Sequence, residues 1–386
     1  MKHPFRYNSD IPNCFFMIGL VFSGSLKWMP IWPIDPTILF SLLLSISIFC
    51  SLFFTTSFKI KKSVLPILIL VSLFGVFYGV TVSYTTSQNF WTTKFQSLIL
   101  LLFSFFIPIF LVTNRKQLDR LLSFITIFSG LIGCMVIILQ KMGLLTYFIL
   151  SSQSGITKLP DYLVLGVILG IGLVIATIRT GVFWKSIAII NICGLLFLTG
   201  RGPLIFAVIV QLMIIFYSRE RTLIYALIAG SMFILYATFF TQMGVELLNR
   251  IQPIFDNEVA FAQTFRIDEF MRAFGVIEDS PWLGVGIGSY GIEAYLIDAD
   301  IYPHNLFLEA WAEGGVVLVI FLMAIFILSP VSFHTLNSKD IGIMCTYYIS
   351  IFLFFNYMKS GGFIGARDLF FFLGLYYAAL TLRKPI

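Results

Sequence analysis

Charge is scarce in this sequence: only 11% of its 386 residues are Asp, Glu, Lys or Arg, where soluble domains carry roughly 25%. That shortage excludes a water-soluble globule, whose surface needs a charged skin. Disorder is excluded too, because it requires low hydrophobicity and high net charge, and 59% of these residues are apolar. Cysteine is also sparse. The five (Cys14, Cys50, Cys134, Cys193, Cys345) form no CxxC pair and sit in or beside apolar runs, so they read as small buried hydrophobes. The sequence holds no Walker motif and no metal-ligand cluster, and neither a metal nor a cofactor is expected. After the polar start MKHPFRYNSD, the first apolar run lacks a small-residue cleavage site, and a retained first span is expected.

What is present is hydrophobic length. Mean hydropathy is +0.95, and a membrane span needs about 20 mostly apolar residues. Apolar stretches occur at about 12–27, 36–58, 63–83, 96–113, 121–140, 161–178, 182–199, 203–218, 222–241, 303–330, 341–358 and 367–382. The expected fold is all-α, a polytopic integral membrane protein of about twelve transmembrane helices with one long, partly helical outer loop. Asn13, Gly19, Gly24 and Lys27 dilute the first stretch, and the boundary at Gly200 to Gly202 is soft, so eleven spans is the alternative count.

The net charge of +6 is what the positive-inside rule produces, and no nucleic acid is expected as a partner. With a cytoplasmic N-terminus, the inner segments hold 15 of the 25 basic residues. Both termini are then expected in the cytoplasm. Twelve of the 19 acidic residues fall between Glu246 and Glu313, against three basic ones there. The long loop 242–302 is thus a distinct region between transmembrane blocks 1–241 and 303–386. Within it, 257–279 has Ile267, Phe270, Met271, Phe274 and Ile277 at helical spacing. Asp256 or Asn257 suits its cap, and Ser280-Pro281 stops it.

Three residues carry the chemical signal. Arg201, in LTGRGP, is a guanidinium beside hydrocarbon, which costs roughly 2.5–3.5 kcal/mol even on lenient scales. It faces a pathway or ligand, or else snorkels to headgroups; its flanking glycines favour the former. Arg266, in TFRIDEF, is either paired with Asp268 or Glu269 or, with Arg201, one of two guanidinium forks suited to a pyrophosphate. His304, in IYPHNLFLEAWAEGG, is the one histidine expected outside. Its imidazole can accept a proton near neutral pH, with Asn305 as candidate orienting partner; the alternative is an interfacial helix cap.

Glu309 and Glu313 follow at helical spacing and are expected to hold structure or arginine partners. Arg367, near Lys359, either pairs with Asp368 or adds a third positive charge to the site. The formal GxGxxG at Gly286, Gly288 and Gly291 follows no strand and opens no βαβ unit, so it reads as a turn returning the loop to the membrane. Trp282, Tyr290, Tyr295, Tyr302 and Trp311 suit either sugar stacking or an interfacial aromatic belt.

The order of TGRGP, TFRIDEFMRAFGVIEDSPWLGVGIGSYG and PHNLFLEAWAEGG over roughly 195–320 resembles the O-antigen ligase / O-antigen polymerase superfamily. The resemblance implies an inverting, metal-independent glycosyltransferase with a GT-C-like membrane fold. It also implies a donor glycan on undecaprenyl pyrophosphate and a bacterial inner membrane, with the long loop in the periplasm. By motif, Arg201 and Arg266 would hold the pyrophosphate and His304 would activate the acceptor hydroxyl. Ligases often carry a second histidine two positions earlier; Tyr302 occupies that place here, which favours a polymerase. Membrane lipids and a chain-length regulator are further candidate partners.

Chemistry outside the cell has no ATP, so a donor there must carry its own activation, as a lipid pyrophosphate does. The rivals to a polymerase are a ligase moving glycan to lipid A-core, a transporter or lipid-linked oligosaccharide flippase, and a structural scaffold. The last explains neither Arg201 nor His304.

Overall fold

The computed structural model describes residues 10–23, 34–54, 62–145, 162–198, 201–218, 257–328 and 340–382. Every regular element among them is helical. In chain order they are α1 (Asp10–Val21), α2 (Pro36–Phe54), α3 (Leu65–Val80), α4 (Phe90–Leu111), α5 (Arg115–Lys141), α6 (Tyr162–Ile178) and α7 (Val182–Phe197). There follow α8 (Arg201–Ser218), α9 (Asn257–Asp279), α10 (Tyr290–Tyr295), α11 (Leu306–Leu328), α12 (Ile341–Ser360) and α13 (Arg367–Thr381). Except for α9 and α10, each helix falls on one of the expected apolar stretches. The stretch 222–241 and the first part of the loop, through residue 256, lie outside the described residues.

Five helical stretches among the described residues are long and apolar enough to cross a membrane, namely Leu65–Tyr84, Phe90–Leu111, Arg115–Lys141, Leu306–Ile327 and Ile341–Ser360. In α3 the residues Ile67, Leu68, Val71, Phe74 and Tyr78 are buried, while Leu65, Ile69, Leu73, Val76 and Val80 point outward. A helix apolar on all sides belongs in lipid or in a core. Here one face meets protein and the other is left for lipid. This is an integral membrane protein.

The core is built by α13 against α4 and α12, by α6 among α5, α7 and α8, and by α11 against α3. Aromatic rings fill it: Phe74 lies 5.9 Å from Phe363 and 6.0 Å from Phe370, and Phe105 lies 6.4 Å from Tyr377.

Polar groups concentrate at the two ends of the bundle. At one end Arg115 pairs with Asp340 (2.7 Å) and donates to the Leu382 carbonyl, and Arg179 donates to the Asp119 carbonyl (2.9 Å). The other end gathers the starts of α4, α8, α11 and α13 with the close of α12. There Asn305 donates to the Met358 carbonyl (2.9 Å), and a methyl at Gly202 would stand 3.5 Å from Lys359 Nζ.

Candidate active site at the start of helix 11

The residues before α11 are set by Pro303, which lacks an N–H, and by a cap. Asn305 Oδ1 accepts from the N–H groups of Phe307 (2.9 Å) and Leu308 (3.1 Å), satisfying donors that a helix start leaves open. Asn305, expected to orient His304, is thus the N-cap of α11 and its tie to α12. His304 between them has φ +53°, a left-handed backbone uncommon for non-glycine residues and commonest at functional sites. Its ring stands edge-on to Tyr302, with centroids 4.7 Å apart.

One turn into α11, Glu309 Oε1 lies 2.5 Å from Lys94 Nζ, and Glu313 Oε1 lies 2.6 Å from the same nitrogen. Tyr78 donates to Glu313 Oε2 (2.5 Å), and Phe363 N–H to Glu309 Oε2 (2.9 Å). All three charged side chains are at most 2% exposed. The expected arginine partner of these glutamates is therefore a lysine.

Lys94 was hidden because the apolar stretch was expected to begin at 96, whereas α4 begins at Phe90. The early start has a visible cause. Ser87 donates to Asp298 Oδ1 (2.6 Å), and Gln88 and Asn89 donate their N–H groups to Asp298 Oδ2 (2.9 and 2.8 Å). The loop caps α4 from outside. Two carboxylates in an apolar span already called for a cation, and Lys94, flanked by Trp91 and Phe95, was the available signal.

α11 breaks at Gly315 (φ +67°, ψ −172°). The break frees two carbonyls and an N–H, which the glycine-rich loop then pairs. Val285 N–H donates to Ala312 O, Gly286 N–H to Glu313 O, and Val316 N–H to Pro281 O, each at 2.9 Å. Gly286 (φ +94°) has its α-carbon against Thr85, where a Cβ would come within 2.6 Å of backbone. The segment is a docking turn, as expected, seated on the α3–α4 connection and on the break in α11.

The loop helix α9 spans the expected 257–279, and of the apolar positions at helical spacing Ile277 is buried. Ala273, Val276 and Ile277 pack with Tyr290 and Ala312, whereas Ile267, Met271 and Phe274 are exposed. Glu269 is buried and accepts from Tyr295 OH. Burial and this carboxylate push the Tyr295 hydroxyl up to about 12. Arg266 stands one turn before Glu269, and Arg201 opens α8. The side chains of both arginines lie outside the described residues.

Beside the α8 start, Pro203 lines a cavity of about 350 Å³ together with Tyr302, Glu309 and Arg367. Arg367 donates to Ser23 (3.0 Å) and Thr37 (3.4 Å), while Asp368 accepts from Tyr357 OH (2.6 Å). Arg367 thus both braces α1 and α2 and reaches the cavity. His304 is absent from its lining, one residue beyond Pro303 from Tyr302.

Comparison with curated proteins gives no match. Comparison with protein families does: residues 186–323 match the family model described as O-antigen ligase. The matched region runs from α7 through α9 and the docking turn to most of α11, the part that carries Arg201, Arg266, His304 and both glutamates. Residues 186–323 thus carry a region of the O-antigen ligase type, which supports the O-antigen ligase/polymerase superfamily.

Proposed function

We propose that this protein is a repeat-unit polymerase of O-antigen or another exopolysaccharide, acting at the periplasmic face of the inner membrane. It transfers a glycan from undecaprenyl pyrophosphate to an acceptor sugar hydroxyl. The observation that carries the reading is one cavity that brings together Pro203 at the start of α8, Tyr302 beside His304, and Arg367 at the start of α13.

In this reading the acceptor oxygen attacks the anomeric carbon from the face opposite the pyrophosphate, and the configuration inverts. Its proton passes to His304 as the new glycosidic bond forms. The bond to the pyrophosphate oxygen breaks, and undecaprenyl pyrophosphate leaves with the electron pair. Arg201 and Arg266 stabilise the negative charge that develops there, in the place a divalent metal takes elsewhere. Membrane lipids surround the donor's tail, and a chain-length regulator is a candidate partner.

A second reading, a ligase that moves glycan to lipid A-core, is favoured by the description of the matched family model. Tyr302 in place of a second histidine favours the polymerase. Deletion separates them: loss of a polymerase leaves core capped with single units, and loss of a ligase leaves bare core with polymer still on the carrier. Complementing the deletion with His304→Ala, Arg201→Ala and Arg266→Ala tests the chemistry. Normal polysaccharide ladders from all three, each present at wild-type level, would reject it.

A further inference from the structure

The cavity at the start of α11 has two unlike walls. Phe22, just past α1, with Val164 and Ile168 of α6 make one side apolar, and Tyr302, Glu309 and Asn356 belong to a polar side. Its volume of about 350 Å³ falls at the small end of the range for ligand pockets. Charge on the polar wall is unequal in sign, with the carboxyl groups of Asp300, Glu309 and Asp368 against the guanidinium of Arg367.

Among the described lining residues Arg367 is the one cation, and it is engaged by Ser23 and Thr37. Glu309 faces Lys94 and the Phe363 N–H, with Glu313 and Tyr78 behind that pair. Asp300 stands at the exposed rim, where the surrounding protein withdraws enough water to push its carboxyl up, Lys94 opposing and Glu313 adding to the effect. Gly362 keeps the floor open, since a Cβ there would come within 2.9 Å of both Glu309 Oε2 and Tyr302 Cδ2. Carboxylate and ring therefore meet across bare backbone.

Such a wall repels a pyrophosphate and any other anion. It suits a pyranose ring: carboxylates accept hydrogen bonds from hydroxyls, and the Tyr302 ring offers a face for C–H groups. We infer that this cavity is the acceptor-sugar subsite and that it selects neutral or amino sugars over uronic acids. The inference rests on the reading of the chain as a glycan transferase, and it puts the donor's pyrophosphate outside this cavity.

The test is saturation-transfer NMR on the full-length protein in lipid nanodiscs, with methyl glucoside, methyl glucosaminide, methyl glucuronide and inorganic pyrophosphate. The glucoside and glucosaminide should bind, the glucuronide roughly tenfold or more weakly, and pyrophosphate should displace none of them. Tyr302→Ala should abolish the signal. Asp300→Asn, a change at the rim that leaves the core intact, and Glu309→Gln should each narrow the gap between glucuronide and glucoside. The inference is overturned by equal binding of glucuronide, by displacement with pyrophosphate, by a signal that survives Tyr302→Ala, or by no glycoside binding at all. His304→Ala separates the two proposals. In that variant, binding retained without transfer supports both, whereas wild-type protein that transfers glycan without binding the glycosides overturns the subsite alone.

Discussion

Asp298 Oδ2 accepts the N–H of Asn89 at 2.8 Å, and so a residue of the segment after α10 closes the start of a helix 209 positions earlier in the chain. With Gln88 and Ser87 on the same carboxylate, this cap fixes the loop over the end of the bundle where α11 begins. The loop's place is therefore determined by hydrogen bonds to exposed N–H groups, and by the break in α11, as much as by apolar packing.

Acid should release that cap. Burial pushes the Asp298 carboxyl up, but hydrogen bonds from Ser87 and from the N–H groups of Asn89, Gln88 and Phe90 outweigh it, and the group sits below its ordinary value. A depressed carboxyl contributes stability in full above its unfolded value of about 3.9, and loses it as pH falls through the lowered value. Limited proteolysis should show residues 281–300 protected at neutral pH and cut faster in strong acid. Asp298→Ala should be cut faster at neutral pH already, with a cost of about 0.5–2 kcal/mol typical of a lost cap.

Removing Lys94 strands two carboxylates in a dry interior. Lys94→Met should destabilise the protein by about 3–5 kcal/mol, seen as a lower unfolding midpoint in detergent. Adding Glu309→Gln and Glu313→Gln to the same chain should restore most of that loss, because neutral amides need no cation. A triple variant as unstable as Lys94→Met would show that packing of the lysine stem, rather than its charge, is what matters.

In a transfer assay with reconstituted protein, His304→Ala should lower the rate without moving the unfolding midpoint. Loss of Arg201 or Arg266 should each lower it roughly ten- to a hundredfold, the worth of one charge-assisted hydrogen bond of about 1.5–3 kcal/mol. Arg→Lys at either place should recover little if both prongs of the guanidinium are used. Full recovery would reduce the requirement to simple charge.

Gly315 has no room for a side chain, since a Cβ would come within 2.1 Å of the Trp282 carbonyl, and its φ is +67°. Gly315→Ala should cost at least about 1–3 kcal/mol from the backbone conformation alone. It should also detach the Pro281–Gly286 turn, which disulfide cross-linking of cysteine pairs placed at Leu283 and Tyr84 would report as lower yield.

Much of the fold was readable from residue order. The limits of α9 follow from Asn257 and from Ser280-Pro281, and the spans follow from hydropathy. The face of α9 was not readable. Of its apolar positions Ile277 turns inward with Ala273 and Val276 while Ile267, Met271 and Phe274 are exposed, because the partners Tyr290 and Ala312 that choose the side lie further along the chain. Lys94 falls just outside the apolar stretch 96–113, and its compensation by Glu309 and Glu313 lies far along the chain. Pro203, Tyr302 and Arg367 were marked in sequence by TGRGP, YPHN and GARD, but nothing local in those motifs says that one cavity joins them.

The buried ion cluster also orders biogenesis in time. Lys94 leaves the ribosome 219 residues ahead of Glu313, so α4 must enter the bilayer while its ammonium has no counter-charge. A lysine this close to the helix end can hold its head at the water boundary on its flexible stem. Its descent into the protein awaits the arrival of α11, and the last step of assembly is then a vertical one: α4 sinks as its anions dock.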